Sequence, residues 1–301
     1  MRALALVGVL AGVLTACLPT PPVPVAHLHD RGPRYVSLGD SWISGPLVPD
    51  MVGTPIDCAR SSRNASALVA AELGISRFVD ASCGGAKIEH LTSPQKPALR
   101  GLLGVAPPQF DALTPDTTLV TIGIGGNDVK FPGTAISCAN LLQVPLGPPP
   151  FGRPCRDELT AGGTDVLAER IAQTAPRLRR ALREVRHRAP RALVLVIGYP
   201  TALPQDGPGC WPRVPLLEPD VEYLRDRFED MNEMLRSAAR ASGATFVDTY
   251  TSSAGHDVCQ PVGTAWVNGI TLDPPAAPMH PNALSYRHTA SLIVDAVRAA
   301  R

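Results

Sequence analysis

The chain has 301 residues, of which 45% are hydrophobic and 18% are charged, and its formal net charge at pH 7 is +1. A net charge this close to zero gives no reason to expect nucleic acid as a partner. The length allows one large hydrophobic core, because single α/β domains commonly reach this size.

Residues 1–16 have the pattern of an export signal. One positive charge at Arg2 precedes the apolar run Ala3–Leu14, which is shorter than the about 20 apolar residues that span a bilayer. The run leads into Leu-Thr-Ala-Cys, which resembles a bacterial lipoprotein cleavage box, with cleavage before Cys17 and acylation of its sulfur. We expect export and lipid anchoring on the outer face of the cell membrane; an ordinary signal peptide followed by secretion is the alternative.

Residues 17–33 are rich in proline and show no periodic pattern of apolar residues. Such a segment favours polyproline II structure, which rises about 3.1 Å per residue and would hold a domain roughly 45 Å from an anchor at Cys17. Residues 34–301 then remain for a single folded domain, which we expect to be a monomer.

Strand patterns and helix patterns alternate along residues 34–301. Short apolar runs rich in β-forming residues predict five strands, at 34–38, 78–81, 118–122, 192–198 and 245–248. Helical spacing of apolar residues predicts helices at 63–73, 165–187, 219–242 and 282–300. Pro176 lies inside the second of these helices, where proline can produce a kink. Alternating strands and helices predict an α/β fold with a five-stranded parallel sheet and helices on both faces.

Six of the seven cysteines fall in the predicted domain. An even number in an exported protein predicts three disulfides, although six cysteines allow 15 connectivities. Short loops favour the sequential pairs Cys58 with Cys83, Cys138 with Cys155, and Cys210 with Cys259. The cysteines lack the C-x-x-C spacing of a zinc site, so we expect no metal and no cofactor.

Ser41 lies just beyond the first predicted strand, in Gly39-Asp40-Ser41. Gly39 permits a tight turn, and ligands of open α/β sheets bind beyond the carboxyl ends of the strands. A serine hydroxyl is a weak nucleophile and needs a base, which His280 in His280-Pro281-Asn282 could supply. An ordinary turn is the alternative for Ser41, and a surface loop is the alternative for His280.

Four motifs in chain order resemble the signature blocks of the SGNH (GDSL-type) hydrolases. They are Gly-Asp-Ser with Ser41, Cys-Gly-Gly-Ala with Gly85, Gly-Gly-Asn-Asp with Asn127, and His-Pro-Asn with His280. The resemblance covers nearly all of residues 35–301 and is closest to the secreted actinobacterial lipases and esterases with three disulfides. It implies a flavodoxin-like three-layer sandwich and a serine esterase or lipase that hydrolyses acyl esters through an acyl-enzyme.

The resemblance also implies an oxyanion hole, which binds the negative charge that develops on the ester carbonyl oxygen. Its donors would be the backbone N–H groups of Ser41 and Gly85 and the side-chain amide of Asn127. A turn glycine and a turn asparagine are the simpler interpretations of Gly85 and Asn127.

The residue that orients His280 is open. The family pattern places an aspartate three residues before the histidine, where this chain has Ala277. Some relatives orient the imidazole by a backbone carbonyl from that position, so the resemblance implies the Ala277 carbonyl. Asp273 and Asp257 are the alternatives, although His256-Asp257 beside Cys259 is also typical of a polar loop held by a disulfide.

The irregular insertion 132–163 and the residue after the nucleophile suggest an apolar substrate. Leu141–Leu146 and Phe151 are apolar, and Trp42 follows Ser41 directly. These residues favour an acyl chain over a sugar, so we expect a lipid-like ester as substrate. The long insertion is typical of a lid, and its disulfide argues against disorder. A carbohydrate O-acetylesterase or acyltransferase acting on cell-wall glycans, and a non-catalytic surface binding lipoprotein, are the alternatives.

Overall fold

The computed structural model describes residues 32–97, 102–140, 154–270 and 275–300. The residues from Gly32 onward form one compact unit. The predicted lipidation site at Cys17, its tether, Asp273 and the apolar part of the insertion lie outside the described residues. Within the described ranges, no helix is both long enough and apolar enough to cross a membrane.

The described residues contain seven strands. They are β1 (Arg34–Gly39), β2 (Met51–Val52), β3 (Arg60–Ser61), β4 (Arg77–Asp80), β5 (Leu119–Gly123), β6 (Leu193–Ile197) and β7 (Thr245–Val247). Strands β2 and β3 form a small antiparallel ribbon, and the other five form one sheet in the order β4-β1-β5-β6-β7. Every pair in the large sheet is parallel. The five-stranded parallel sheet is confirmed, and its order is that of a flavodoxin-like fold.

Helices connect the strands. They are α1 (Ser41–Ser44), α2 (Ala65–Glu72), α3 (Phe131–Ser137), α4 (Cys155–Leu159), α5 (Val166–Arg188), α6 (Glu218–Ala241), α7 (Thr249–Ser252) and α8 (Ala283–Ala299). The four predicted helices correspond to α2, α5, α6 and α8. Helix α5 continues through Pro176. Its Asp165 cap accepts from the Ala168 N–H over 2.9 Å, so the first turn begins where the apolar pattern predicts it.

Successive side chains of a strand point to opposite faces of the sheet, and the core follows this alternation. Val36 and Leu38 of β1 belong to the cluster with α5 and α6, whereas Tyr35 belongs to the cluster with α2 and α8. On the second face, the Ser37 and Ser66 hydroxyl oxygens lie 2.7 Å apart between β1 and α2. The molecule is therefore the expected three-layer sandwich.

Three disulfides join loops around the sheet. The pairs are Cys58–Cys83, Cys138–Cys155 and Cys210–Cys259, which is the sequential pairing. The first lies closest to the carboxyl edge of β1. There the Cys83 N–H donates to the Gly39 carbonyl over 3.1 Å, and the Gly84 N–H donates to the Cys58 carbonyl over 2.9 Å. This disulfide fixes the loop after β4 against the β2-β3 ribbon.

Candidate active site

Ser41 begins the single turn α1 directly after β1. A Cβ atom on Gly39 would lie 2.6 Å from the Gly123 carbonyl oxygen and from the Ile43 side chain, so this close approach requires glycine. Asp40 caps the turn, because its Oδ1 accepts from the Trp42 N–H over 2.9 Å. The Ser41 N–H has no acceptor among the described residues. The Ser41 N–H is therefore able to donate to a ligand at the carboxyl edge of the sheet.

His280 contacts this serine from the far end of the chain. Its Nε2 lies 2.8 Å from Ser41 Oγ, and its Nδ1 lies 2.7 Å from the Pro278 carbonyl oxygen. A carbonyl can only accept, so Nδ1 carries the proton and Nε2 presents its lone pair to the serine hydroxyl. The loop is held in place because the Asn268 N–H donates to the His280 carbonyl over 3.0 Å.

The carbonyl that orients the ring belongs to Pro278, so the expectation of Ala277 is wrong. The Ala277 carbonyl instead accepts from the His280 backbone N–H over 3.2 Å, which closes a turn. Inside that turn, His280 Nδ1 faces the carbonyl of Pro278, the residue after Ala277. Asp257 is engaged in its own loop, where its carboxylate accepts from the Cys259 N–H over 2.8 Å and from Gln260 Nε2 over 3.0 Å.

The environment of His280 favours the neutral ring. Burial lowers its pKa from the usual value, and the hydrogen bond to the Pro278 carbonyl acts weakly in the opposite direction. A histidine that is neutral at neutral pH can accept a proton from the serine.

The other two predicted oxyanion donors follow the strands on either side of β1. Gly85 lies after β4 with a φ of 75°, a conformation that favours glycine, and its N–H has no acceptor among the described residues. Asn127 lies after β5, and its Nδ2 donates to the Ala86 carbonyl over 3.0 Å. The second amide hydrogen of Asn127 remains for a ligand. Because β4, β1 and β5 are neighbours, Gly85, Ser41 and Asn127 lie at one edge of the sheet.

Asp128 connects the loops that carry Gly85 and Asn127. Its Oδ2 accepts from the Ile88 N–H over 2.9 Å, and its Oδ1 lies 2.9 Å from the Arg177 guanidinium of α5. Burial raises the pKa of Asp128, and the hydrogen bond from Ile88 and the charge of Arg177 oppose this shift. The sequence motif contains Asp128 but does not indicate this contact. Arg177 was missed because it is one of many arginines on an amphipathic helix.

An aromatic cluster lies beside the serine. The Trp42 ring centroid is 5.3 Å from that of Tyr199, 5.7 Å from that of Phe228 and 6.2 Å from that of His280. Phe131 packs against Phe228 with 5.0 Å between centroids. The sequence indicated only Trp42, because Phe228 and Phe131 come from α6 and α3 and are indistinguishable in sequence from core residues. Phe131, Tyr199 and Phe228 are buried, and Trp42, the residue after Ser41, is partly exposed.

The described residues include no group of three histidine, cysteine, aspartate or glutamate side chains that could hold a metal ion. The polar groups at the site are instead one hydroxyl, one imidazole and several N–H donors. Such a set can activate a serine and bind a developing oxyanion.

Comparison with known proteins places this geometry in a family. Lipase 2 of Streptomyces coelicolor is 39% identical over 262 residues, which are 87% of this chain and 84% of that protein. The crystal structure of an extracellular lipase from Streptomyces rimosus superposes with a TM-score of 0.65 at 26% identity, covering 89% of this chain and all of that one. A phospholipase A1 from Streptomyces albidoflavus has the same fold, with a TM-score of 0.65 at 23% identity over 88% of this chain and 98% of that one. Residues 37–288 match the GDSL-like Lipase/Acylhydrolase family, and the chain belongs to this family.

Proposed function

We propose that the protein is a carboxylic-ester hydrolase in which Ser41 is the nucleophile and His280 is the base. The observation that carries this proposal is the 2.8 Å contact between Ser41 Oγ and His280 Nε2, made while Nδ1 is held by the Pro278 carbonyl. The arrangement fixes both the tautomer and the orientation that a general base needs.

In the proposed reaction, Ser41 Oγ attacks the ester carbonyl carbon while its proton passes to His280 Nε2. The carbonyl oxygen becomes an oxyanion, which the N–H groups of Ser41 and Gly85 and the free amide hydrogen of Asn127 stabilise. His280 then gives the proton to the leaving alkoxide, which leaves an acyl-serine. Water, deprotonated by His280, releases the acid and restores the enzyme.

The proposed substrate is an ester with an apolar acyl chain. The partly exposed Trp42 ring adjoins Ser41 and packs on the buried Phe228 ring, so it offers mainly apolar contact rather than hydrogen bonds. The Streptomyces coelicolor and Streptomyces rimosus relatives are named lipases, which supports the same class of substrate.

A chain-length series of p-nitrophenyl esters tests this proposal, with Ser41→Ala as the control. We expect hydrolysis that depends on Ser41 and has a higher kcat/KM for medium or long acyl chains than for acetate. Activity on acetate alone would indicate an O-acetylesterase. Hydrolysis that is absent, or that persists at the same rate in Ser41→Ala, would exclude the proposed serine mechanism.

We further propose that the protein is exported and anchored through a lipid on Cys17. Three disulfides support an oxidising compartment, and the Streptomyces rimosus relative is described as extracellular. Cell fractionation of wild type and Cys17→Ser tests the anchor. Membrane-bound wild type and soluble variant support it, whereas equal release of both into the medium indicates an ordinary signal peptide.

A further inference from the structure

Tyr199, just beyond β6, makes two buried hydrogen bonds that the proposed reaction does not use. Its hydroxyl donates to Asp40 Oδ2 over 2.5 Å and accepts from the Gly126 N–H over 3.0 Å. Asp40 immediately precedes Ser41, and Gly126 immediately precedes Asn127. One phenol therefore links the Asp40 side chain, next to Ser41, with the Gly126 backbone, next to Asn127.

We propose that Tyr199 is a positioning residue that sets the Asn127 amide against the Ser41 turn, so that both donors meet the same oxyanion. The inference rests on the proposed function, because it assigns Tyr199 a role through Asn127. Tyr199 itself need not touch the substrate.

Tyr199 is held rigidly enough for this role. Its backbone N–H donates to the Asn232 side-chain oxygen of α6 over 2.8 Å, and its ring packs edge-on against Trp42. Tyr199 is 4% exposed and Asp40 is 1% exposed, so water does not readily replace their hydrogen bond. In a buried polar network each bond restricts the geometry of the next.

Gly126 lies directly against the phenol. A Cβ atom on this residue would be 3.2 Å from the Tyr199 hydroxyl oxygen and 3.4 Å from the ring carbon that bears it. On its other side, the Asn127 side chain donates one amide hydrogen to the Ala86 carbonyl, and the Asn127 backbone carbonyl accepts from the Lys130 N–H over 3.3 Å. A shift of the Gly126 peptide would therefore move the second amide hydrogen, and a misplacement of about 1 Å can cost about 100-fold in rate.

Tyr199→Phe keeps the ring and removes the hydroxyl. Among the described residues it leaves the Gly126 N–H without an acceptor and Asp40 Oδ2 without a donor, so the Ser41 turn and the Gly126 peptide are no longer linked through one hydroxyl. Tyr286→Phe is the matched control, because the Tyr286 hydroxyl is also buried but has no hydrogen-bond partner among the described residues.

The test is a double-mutant cycle of Tyr199→Phe and Asn127→Ala, measured as kcat and KM on p-nitrophenyl butyrate with the full-length folded protein. We expect Asn127→Ala to lower kcat about 100-fold to 1,000-fold, the usual cost of one lost oxyanion donor. Tyr199→Phe should lower kcat about 10-fold or more with KM within about twofold, and the double variant should be no more than about threefold below Asn127→Ala. Tyr286→Phe should keep the wild-type kcat within about twofold.

Three results would overturn the inference. If the two losses multiply in the double variant, Tyr199 acts independently of Asn127. If Tyr199→Phe has the wild-type kcat, the Tyr199 hydroxyl does not position the Asn127 amide for catalysis. If Asn127→Ala alone keeps full activity, the proposed oxyanion hole fails together with the inference, and this is seen from the single variant.

Gly126→Ala supplies the test if Tyr199→Phe does not fold. Its methyl group pushes against the phenol without removing any hydrogen-bonding group. We expect Gly126→Ala to lower kcat about as much as Tyr199→Phe does. In the Asn127→Ala background it should cause no further loss. A multiplicative loss or a wild-type kcat would contradict the inference here as well.

Discussion

At the scale of single residues, the site differs from a serine, histidine and aspartate triad in its third member. The Pro278 carbonyl accepts from His280 Nδ1, so the tautomer is fixed without a carboxylate. A carbonyl dipole stabilises the imidazolium less than a full negative charge would. In the proposed mechanism, the three proposed oxyanion donors then supply a larger share of the stabilisation of the charged intermediate.

Asp257→Asn tests this orientation by a carbonyl. The Asp257 carboxylate is occupied by Cys259 and Gln260 in its own loop, so the variant should keep kcat within about threefold on p-nitrophenyl butyrate. His280→Ala, measured beside it, should lose about 1,000-fold or more. A loss in Asp257→Asn as large as that in His280→Ala would restore the carboxylate as the orienting group.

Asp40 should make stability depend on pH in an unusual direction. Burial raises the pKa of Asp40 from 3.8 to about 7, while the hydrogen bonds from Tyr199 and Trp42 oppose the shift. The folded state therefore binds this proton more tightly than the unfolded state, and the contribution of Asp40 to stability falls as pH rises from about 4 to about 7.

Urea unfolding of wild type and Asp40→Asn at pH 4.5 and pH 7.5 measures this effect. The free energy of unfolding of the variant minus that of wild type should be larger at pH 7.5 than at pH 4.5, because only wild type loses stability as Asp40 ionises. An equal difference at the two pH values would show that Asp40 titrates at its ordinary pKa in the folded protein.

At the scale of elements, the long helices and the sheet strands follow from periodicity, and the short elements do not. Helices α2, α5, α6 and α8 begin and end within about two residues of the predicted bounds. The long helices α5, α6 and α8 repeat an apolar face over several turns, whereas α2 is short and apolar nearly all round. The two-residue strands β2 and β3 and the short helices α3 and α4 carry no such repeat. Tertiary contacts fix them, among them the Cys58–Cys83 and Cys138–Cys155 disulfides.

Helix α8 also contains an unfavourable group. In the part of the chain that the structure describes, the Tyr286 hydroxyl is buried on the α2 side of the sheet without a hydrogen-bond partner. The buried Ser44 hydroxyl also has no partner there. Tyr286→Phe removes the desolvated hydroxyl and should raise the free energy of unfolding by about 1 kcal/mol.

Tyr35→Phe is the comparison for that variant. The Tyr35 hydroxyl lies 2.8 Å from the Thr121 hydroxyl, so its removal should lower the free energy of unfolding by about 1 kcal/mol. Urea unfolding of both variants distinguishes the two cases. A loss of stability in Tyr286→Phe equal to that in Tyr35→Phe would mean that the Tyr286 hydroxyl is satisfied in solution.

At the scale of the whole molecule, strand order explains why distant motifs meet. Chain segments after β4, β1 and β5 become neighbours only in the sheet order β4-β1-β5, and the loop with His280 reaches the same edge from the start of α8. That Ser41, Gly85, Asn127 and His280 would lie together could be expected from the sequence, because each is in a short local motif; their catalytic roles stay predictions. Tyr199 and Arg177 could not, because they contact Asp40 and Asp128 across 159 and 49 positions (199 − 40 and 177 − 128). The choice between two neighbouring carbonyls likewise depended on a turn that no local pattern encodes.

Removing single disulfides should separate stability from activity. Cys58→Ser with Cys83→Ser opens a loop spanning 25 positions and should cost about 3 kcal/mol of stability. It should also lower kcat on p-nitrophenyl acetate, because the loop of Gly85 loses its attachment to the β2-β3 ribbon. Cys138→Ser with Cys155→Ser, which opens 17 positions, should cost similar stability and leave this kcat unchanged. Equal kcat values in the two double variants would contradict a role for the first disulfide in positioning Gly85.

The central claim is that Ser41 attacks the acyl carbonyl with His280 as its base. Its most direct test is labelling with a p-nitrophenyl alkylphosphonate, which phosphonylates an activated serine, followed by peptide mass spectrometry. We predict stoichiometric modification of the peptide that contains Ser41, with a rate that falls by about 1,000-fold or more in His280→Ala. Modification at another residue, or an unchanged labelling rate in His280→Ala, would contradict the account.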